Sequence, residues 1–137
     1  MIVYAVIDTN VMISAMLSSH DNAATVRVVA MLFTGEIIPL YSTDILAEYY
    51  NVLRRDKFSF PEAEIHEMLS VIEKHGICVD AVSSSEILPD VKDLPFYEVV
   101  LEKRDDDAYL ITGNTRHFPK KPFIVTAKQM LEIMGKG

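Results

Sequence analysis

The run Ile2-Val3-Tyr4-Ala5-Val6-Ile7 constrains this chain more than any other segment. It is apolar at consecutive positions, with no alternation. A strand that faces water on one side alternates, whereas a strand covered on both sides does not. Val3–Ile7 therefore reads as a strand buried on both faces, and such strands belong to parallel sheets sandwiched between helices. The run then meets Asp8, Thr9 and Asn10 before apolar residues resume at Val11. A carboxylate and two further hydrogen-bonding side chains at the end of a buried strand need a reason.

The rest of the chain repeats the strand–helix alternation. A short helix is predicted from Val11 to about Leu17, and a second is capped by Asn22, with Ala24, Val28, Met31 and Leu32 inward and Gly35 past its end. Ile37–Tyr41 reads as a strand whose Pro39 favours a sheet edge or a strand end. Ser42 or Thr43 caps a helix to about Arg55. Pro61 and two glutamates open another, which carries Ile65, Met68, Leu69 and Ile72 at helical spacing and stops at Gly76. A strand over Ile77–Val82, a polar loop over Ser83–Asp93, a helix over Leu94–Arg104 and a strand over Tyr109–Thr112 follow. Gly113 then allows a tight backbone. Phe123–Val125 is the last strand and Thr126 caps a final helix through Met134. This alternation predicts an α/β fold, a mostly parallel sheet of five strands between helical layers. In such folds ligands bind beyond the carboxyl ends of the strands, which is where Asp8 falls.

At 137 residues the chain fits one domain, and its 50% hydrophobic and 24% charged content is that of a globular protein. Cys78 is the lone cysteine, so no intrachain disulfide forms. The amino terminus lacks the basic start of a signal peptide, and no apolar stretch reaches the ~20 residues of a membrane helix. A cytoplasmic protein with no membrane partner is expected. The net charge of −7 argues against polyanion binding. The cations are nevertheless clustered, at Arg54, Arg55 and Lys57, at Lys103 and Arg104, and at Arg116, His117, Lys120 and Lys121.

Each acid has a plain structural reading beside a chemical one. Asp8 can cap the helix that follows it, though Thr9 and Asn10 can do the same. Glu48 lies at the edge of the apolar stripe Ile45, Tyr49, Val52 and Leu53, where it must find a partner, reach water or pair with Arg55. Asp93 is placed to cap the helix carrying Pro95, with Asp90 before it. Asp105-Asp106-Asp107 reads as a solvated turn. In TGNTRHFP, Thr112 and Asn114 emerge at the same sheet edge as Asp8; asparagine is also an ordinary turn residue, and His117 reads as a surface or capping histidine. Carboxylates gathered at one edge repel unless a cation joins them, and oxygen donors without a Cys/His set point to Mg²⁺ or Mn²⁺. A cation bound by acids also lets an acidic protein engage phosphates.

Taken together, VIDTNVMISA, STDILAEYYNVLRR, PDVKDLPFYEVV and DAYLITGNTRHFP resemble the PIN domain, and most closely its branch of toxin components of toxin–antitoxin systems. The resemblance covers nearly the whole chain. It implies a three-layer α/β/α sandwich and a metal-dependent ribonuclease, with Asp8, Glu48 and Asp93 matching the core acidic ligands and Asp90 an additional acid. Asn10 and Thr112 match polar residues lining the site. Asn114 departs from the acid that many members carry there, which bears on a second metal site. The resemblance further implies a homodimer and a small antitoxin partner. Arg54, Arg55, Arg116 and Lys120 are expected to position an RNA strand. Two rival readings accompany this one. One is a non-catalytic RNA- or protein-binding module, given Asn114. The other is a phosphatase of the haloacid dehalogenase type, which Asn10 disfavours because that resemblance implies an acid there.

Overall fold

Consecutive apolar residues do form a strand covered on both sides. The computed structural model describes residues 1–137. Strand β1 spans Val3–Ile7, with Ala5, Val6 and Ile7 fully buried. Its neighbours are β2 (Ile37–Tyr41) and β4 (Tyr109–Ile111), both parallel to it. Strand β3 (Ile77–Cys78) lies outside β2 and β5 (Ile124–Val125) outside β4, giving an all-parallel sheet in the order β3-β2-β1-β4-β5. The predicted fold class is the observed one. β1 is thus central, and its carboxyl end opens at the middle of the sheet edge, where the strand order reverses.

Six helices cover this sheet: α1 (Thr9–Leu17), α2 (Ala24–Thr34), α3 (Thr43–Leu53), α4 (Glu62–His75), α5 (Leu94–Glu102) and α6 (Ala127–Ile133). Helix α5 packs across β1, β2 and β4, while α2 packs against β2, α4 and α6. Sheet and helices share one continuous cluster of 35 buried apolar residues, so the site edge is mounted on a single core. No helix is long and apolar enough to cross a membrane.

Several local expectations are corrected. Asn22 does not cap α2: the cap position is Ala23, and no side chain bonds the first turn, although Gly35 closes the helix in the left-handed conformation as expected. Helix α1 begins at Thr9 rather than Val11. Strand β3 is two residues long instead of running to Val82; after a last bond from Val79 N–H to the Tyr41 carbonyl, the chain leaves the sheet. The expected strand Ile77–Val82 stops early because β2 ends at Tyr41, opposite Cys78, and leaves nothing beyond to pair with. Helix α5 stops at Glu102, and Arg104–Asp106 form a separate 3₁₀ turn closed by Asp107 in the left-handed region. Gly113 has no special need to be glycine, since an added Cβ would sit 3.5 Å from Asn10 Oδ1, an ordinary contact.

Pro39 is not on an edge strand, because β2 pairs on both sides. The reason it is tolerated lies in the register. β3 begins opposite Leu40, so the flank of Pro39 facing β3 has no ladder partner to lose. Gly76 closes over that gap. A Cβ at Gly76 would lie 2.4 Å from the Ile72 carbonyl oxygen and 2.5 Å from that of Pro39. Both obstacles are backbone, so Gly76→Ala is expected to destabilise the protein by about 1–3 kcal/mol in denaturant unfolding. An unchanged midpoint would show that the α4–β3 corner can open at no cost.

Candidate active site

The carboxyl end of β1 carries Asp8, which is 5% exposed. Its backbone sits at the N-cap position of α1, but the side chain makes no cap bond. Instead Asp8 Oδ2 accepts a 2.6 Å hydrogen bond from the Thr112 hydroxyl at the end of β4. Thr112 Oγ1 in turn accepts from the Asn114 N–H at 3.0 Å. One loop thus holds one carboxylate oxygen from across the strand pair. Burial raises the Asp8 pKa above the ordinary carboxylate range, opposed by the Thr112 hydroxyl and by the backbone N–H groups of Asn10 and Thr9.

Glu48, on α3, meets the same place through Thr9. The Thr9 hydroxyl donates to Glu48 Oε2 at 2.5 Å. The neighbouring Tyr49 is buried and its hydroxyl donates to the Ile7 carbonyl, the residue before Asp8, at 2.5 Å. These two bonds tie α3 to the end of β1, and they answer the question that the stripe position of Glu48 raised. It is half-buried and is not paired with Arg55. Burial raises its pKa, with the charges of Asp8 and Asp90 acting in the same direction against the Thr9 bond. Removing the phenol in Tyr49→Phe leaves a buried carbonyl without its donor and is expected to cost about 1–2 kcal/mol by chemical denaturation. No loss of stability would mean that α3 docks without this bond.

Asp93 precedes α5 but does not cap it. The capping is done one turn earlier, where exposed Asp90 Oδ1 accepts from Lys92 N–H at 2.9 Å, organising the 3₁₀ turn Val91–Asp93. That frees the Asp93 carboxylate. Its Oδ2 is buried and lies 3.3 Å from His117 Nδ1, without the alignment of a hydrogen bond, and has no hydrogen-bond partner. The Asp93 pKa is raised to about 6, chiefly by burial, then by the charges of Asp8 and Asp90, with His117 opposing. Asp8, Asp90 and His117 are therefore near enough for their charges to act on Asp93, and His117 is in direct contact with it.

Asn10 also makes a long-range bond: its Oδ1 accepts from Gly113 N–H at 3.3 Å, fastening α1 to the loop after β4. The basic residues divide. Arg116 and His117 share a 3₁₀ turn, Thr115–His117, so this turn borders the acids directly. Arg54 is engaged elsewhere, ion-paired with Glu62 and stacked on the Tyr50 ring at 3.4 Å. Arg54 and Arg55 line a separate hollow with Asp56, Phe60 and Glu62. Arg104 is likewise structural, over the Phe123 ring and bonded to the Ala108 carbonyl. Thr9, Tyr49 and His117 are site-building residues that side-chain type did not single out. Thr9 could be found from its place beside Asp8, and the other two only from the fold.

The donors suit a hard divalent cation: carboxylates with raised pKa values that repel one another, and a buried oxygen on Asp93 that has only the His117 ring nearby and no hydrogen bond. No three His, Cys, Asp or Glu side chains stand together as a ready-made ligand set. A cation held by two acids, directly or through its own waters, fits both facts, because Mg²⁺ keeps several waters and uses few protein ligands. Asp8 and Asp93 are both largely buried, and burial raises the pKa of each. A family model described as PIN domain matches residues 4–116, which include all four acids and the loop through Arg116. No curated protein and no solved structure gave a significant match.

Proposed function

The chain belongs to the PIN domain family, and from that premise we propose that it is a metal-dependent ribonuclease that hydrolyses phosphodiester bonds as the toxin component of a toxin–antitoxin pair. PIN domains are in general nucleases that use divalent metal ions. What supports the reading in this chain is the charge of Asp8, at the carboxyl end of β1, acting on Glu48 and Asp93 from two other elements, together with an Asp93 Oδ2 that is buried and has no hydrogen-bond partner.

Asp8 and Asp93 would hold Mg²⁺ or Mn²⁺, with Asp90 at the rim. When bound, the ion supplies charge that polarises a scissile phosphate and lowers the pKa of a water. The remaining work falls to the side chains. Thr112 holds one oxygen of Asp8 and so fixes the carboxylate's orientation. Thr9 does the same for Glu48, leaving Oε1 to orient a water and accept its proton; a raised pKa makes Glu48 a better base than an exposed glutamate. Arg116 and Lys120 offset the negative charge of an incoming strand. Arg54, committed to Glu62 and Tyr50, is the weaker contributor, and Arg55 lies with it.

The experiment is incubation of labelled single-stranded RNA with the protein and Mn²⁺ or Mg²⁺, with excess chelator as control. Chelator-sensitive fragments support the reading, and intact RNA after hours at micromolar protein overturns it. A second reading, a non-catalytic binding module, draws on one specific observation: the lack of a ready-made three-ligand cluster together with the uncharged Asn114. Stable RNA binding without product would favour it. An antitoxin partner and a homodimer complete the proposal. Co-purification of a small partner that blocks cleavage, and a dimeric mass in solution, are their tests.

A further inference from the structure

A cavity of about 610 Å³ lies beside the acidic end of β1, between the segment 115–122, the edge strand β5 and helix α6. The turn Thr115–His117 is the wall between the two. His117 faces Asp93 on one side, while Thr115 and Arg116 line the cavity on the other. Around the cavity stand three cations, Arg116, Lys120 and Lys121, all exposed and none in an ion pair; Glu132 is its single acid. Pro119, Pro122 and Ile133 give it an apolar wall, and Gln129 places an amide among them.

Free cations, an apolar wall and one amide describe a site for a ligand that is anionic at one end and flat and apolar at the other. The volume lies within the range that takes small organic ligands. A peptide of the usual mixed composition would leave the cations without partners, and a bare phosphate would leave the apolar wall uncovered. A nucleotide satisfies both. It can enter a concave cavity only when its base is unstacked, which duplexes do not permit and single strands do.

We infer that this cavity receives a nucleotide of a single-stranded RNA flanking the bond presented to Asp8 and Asp93, its phosphate set by Arg116, Lys120 and Lys121 and its base lying on Pro119, Pro122 and Ile133. The choice of RNA rests on the nuclease reading above. The cavity adds a subsite to it, one that only a strand long enough to reach from the acids into the adjoining cavity can fill. The Thr115–His117 turn sets the spacing, because one wall serves both.

Binding, free of catalysis, is the test. Fluorescence anisotropy of a labelled single-stranded RNA hexamer is measured in chelator over a range of salt, with the full chain and with Lys120→Ala/Lys121→Ala. The double variant should bind about tenfold more weakly, and its plot of log affinity against log salt should be flatter by about 1.4, the loss of two phosphate contacts on a single strand. Ile133→Glu, a change at a half-exposed position, should weaken the hexamer too, and a blunt duplex of the same sequence should bind worse than the single strand. Hexamer binding that is absent, or equal in all these proteins, overturns the inference. So does uridine monophosphate binding as tightly as the hexamer, which would make the ligand a free nucleotide, and so does a poly-glutamate peptide displacing no RNA while itself depending on the two lysines. Adding Mn²⁺ separates the two readings. Lysine-dependent binding without cleavage supports the cavity and removes the nuclease, whereas cleavage indifferent to the lysines does the reverse.

Discussion

Asp8→Asn is expected to lower metal-dependent RNA cleavage by about 10³-fold, equivalent to about 4 kcal/mol of transition-state stabilisation, while leaving the fold intact. Asparagine keeps the shape and an oxygen that can accept from the Thr112 hydroxyl, so the loop after β4 stays in place. What is lost is the charge. The sign of the stability effect separates this from misfolding. Burial raises the Asp8 pKa, so the charged form is disfavoured in the folded state, and a neutral isostere should raise the melting temperature at neutral pH in chelator. A loss of cleavage with a lower melting temperature would point to damage, and unchanged cleavage would remove Asp8 from the chemistry. Activity is read by gel with Mn²⁺, stability by thermal denaturation of the same preparation.

The second large effect belongs to Asp93, whose pKa rises from the ordinary 3.8 to about 6 in the fold. The folded protein therefore binds a proton that the unfolded chain releases. Stability from this group is fully present below about pH 3.8 and is lost as pH rises through about 6. Asp93 is partly buried, and with a discount for solvent screening the free energy at stake is about 1 kcal/mol. In chelator, the melting temperature should fall between pH 4 and pH 7, with Glu48 and Asp8 acting in the same direction. Asp93→Asn should flatten that dependence and be the more stable protein at pH 8. It should also lose the stabilisation that Mg²⁺ or Mn²⁺ gives the unmodified chain, and cleavage should fall about 10²-fold or more. A pH dependence that survives the substitution would place the titration elsewhere.

These expectations could be framed because so much was legible along the chain. The unbroken apolar run of β1 announced a parallel, doubly covered strand, and Ser42 and Thr126 were readable as caps because their geometry is local. The place of Asp8 at the carboxyl end of the central strand was legible from the pattern alone. Asn22 and Ile77–Val82 misled for opposite reasons. At Asn22 the local chemistry suited a cap but the chain entered one residue later. At Ile77–Val82 the apolar pattern was sound, yet the neighbouring strand ended before it could pair.

The site was less legible than the fold because its bonds span the chain. The Thr9–Glu48 bond joins residues 39 apart and the Thr112–Asp8 bond residues 104 apart. Glu48 could be flagged as needing a partner, but the partner's identity depended on where α3 lies against β1. Arg54 shows the converse. Charge alone marked it for the substrate, and only the fold reveals Glu62 and Tyr50 already beside it.

The brevity of β3 and β5 has a consequence beyond the site. Both margins of the sheet offer a hydrogen-bonding rim only two residues long. Added strands from other molecules would find almost nothing to zip onto, so concentrated solutions should resist fibril growth.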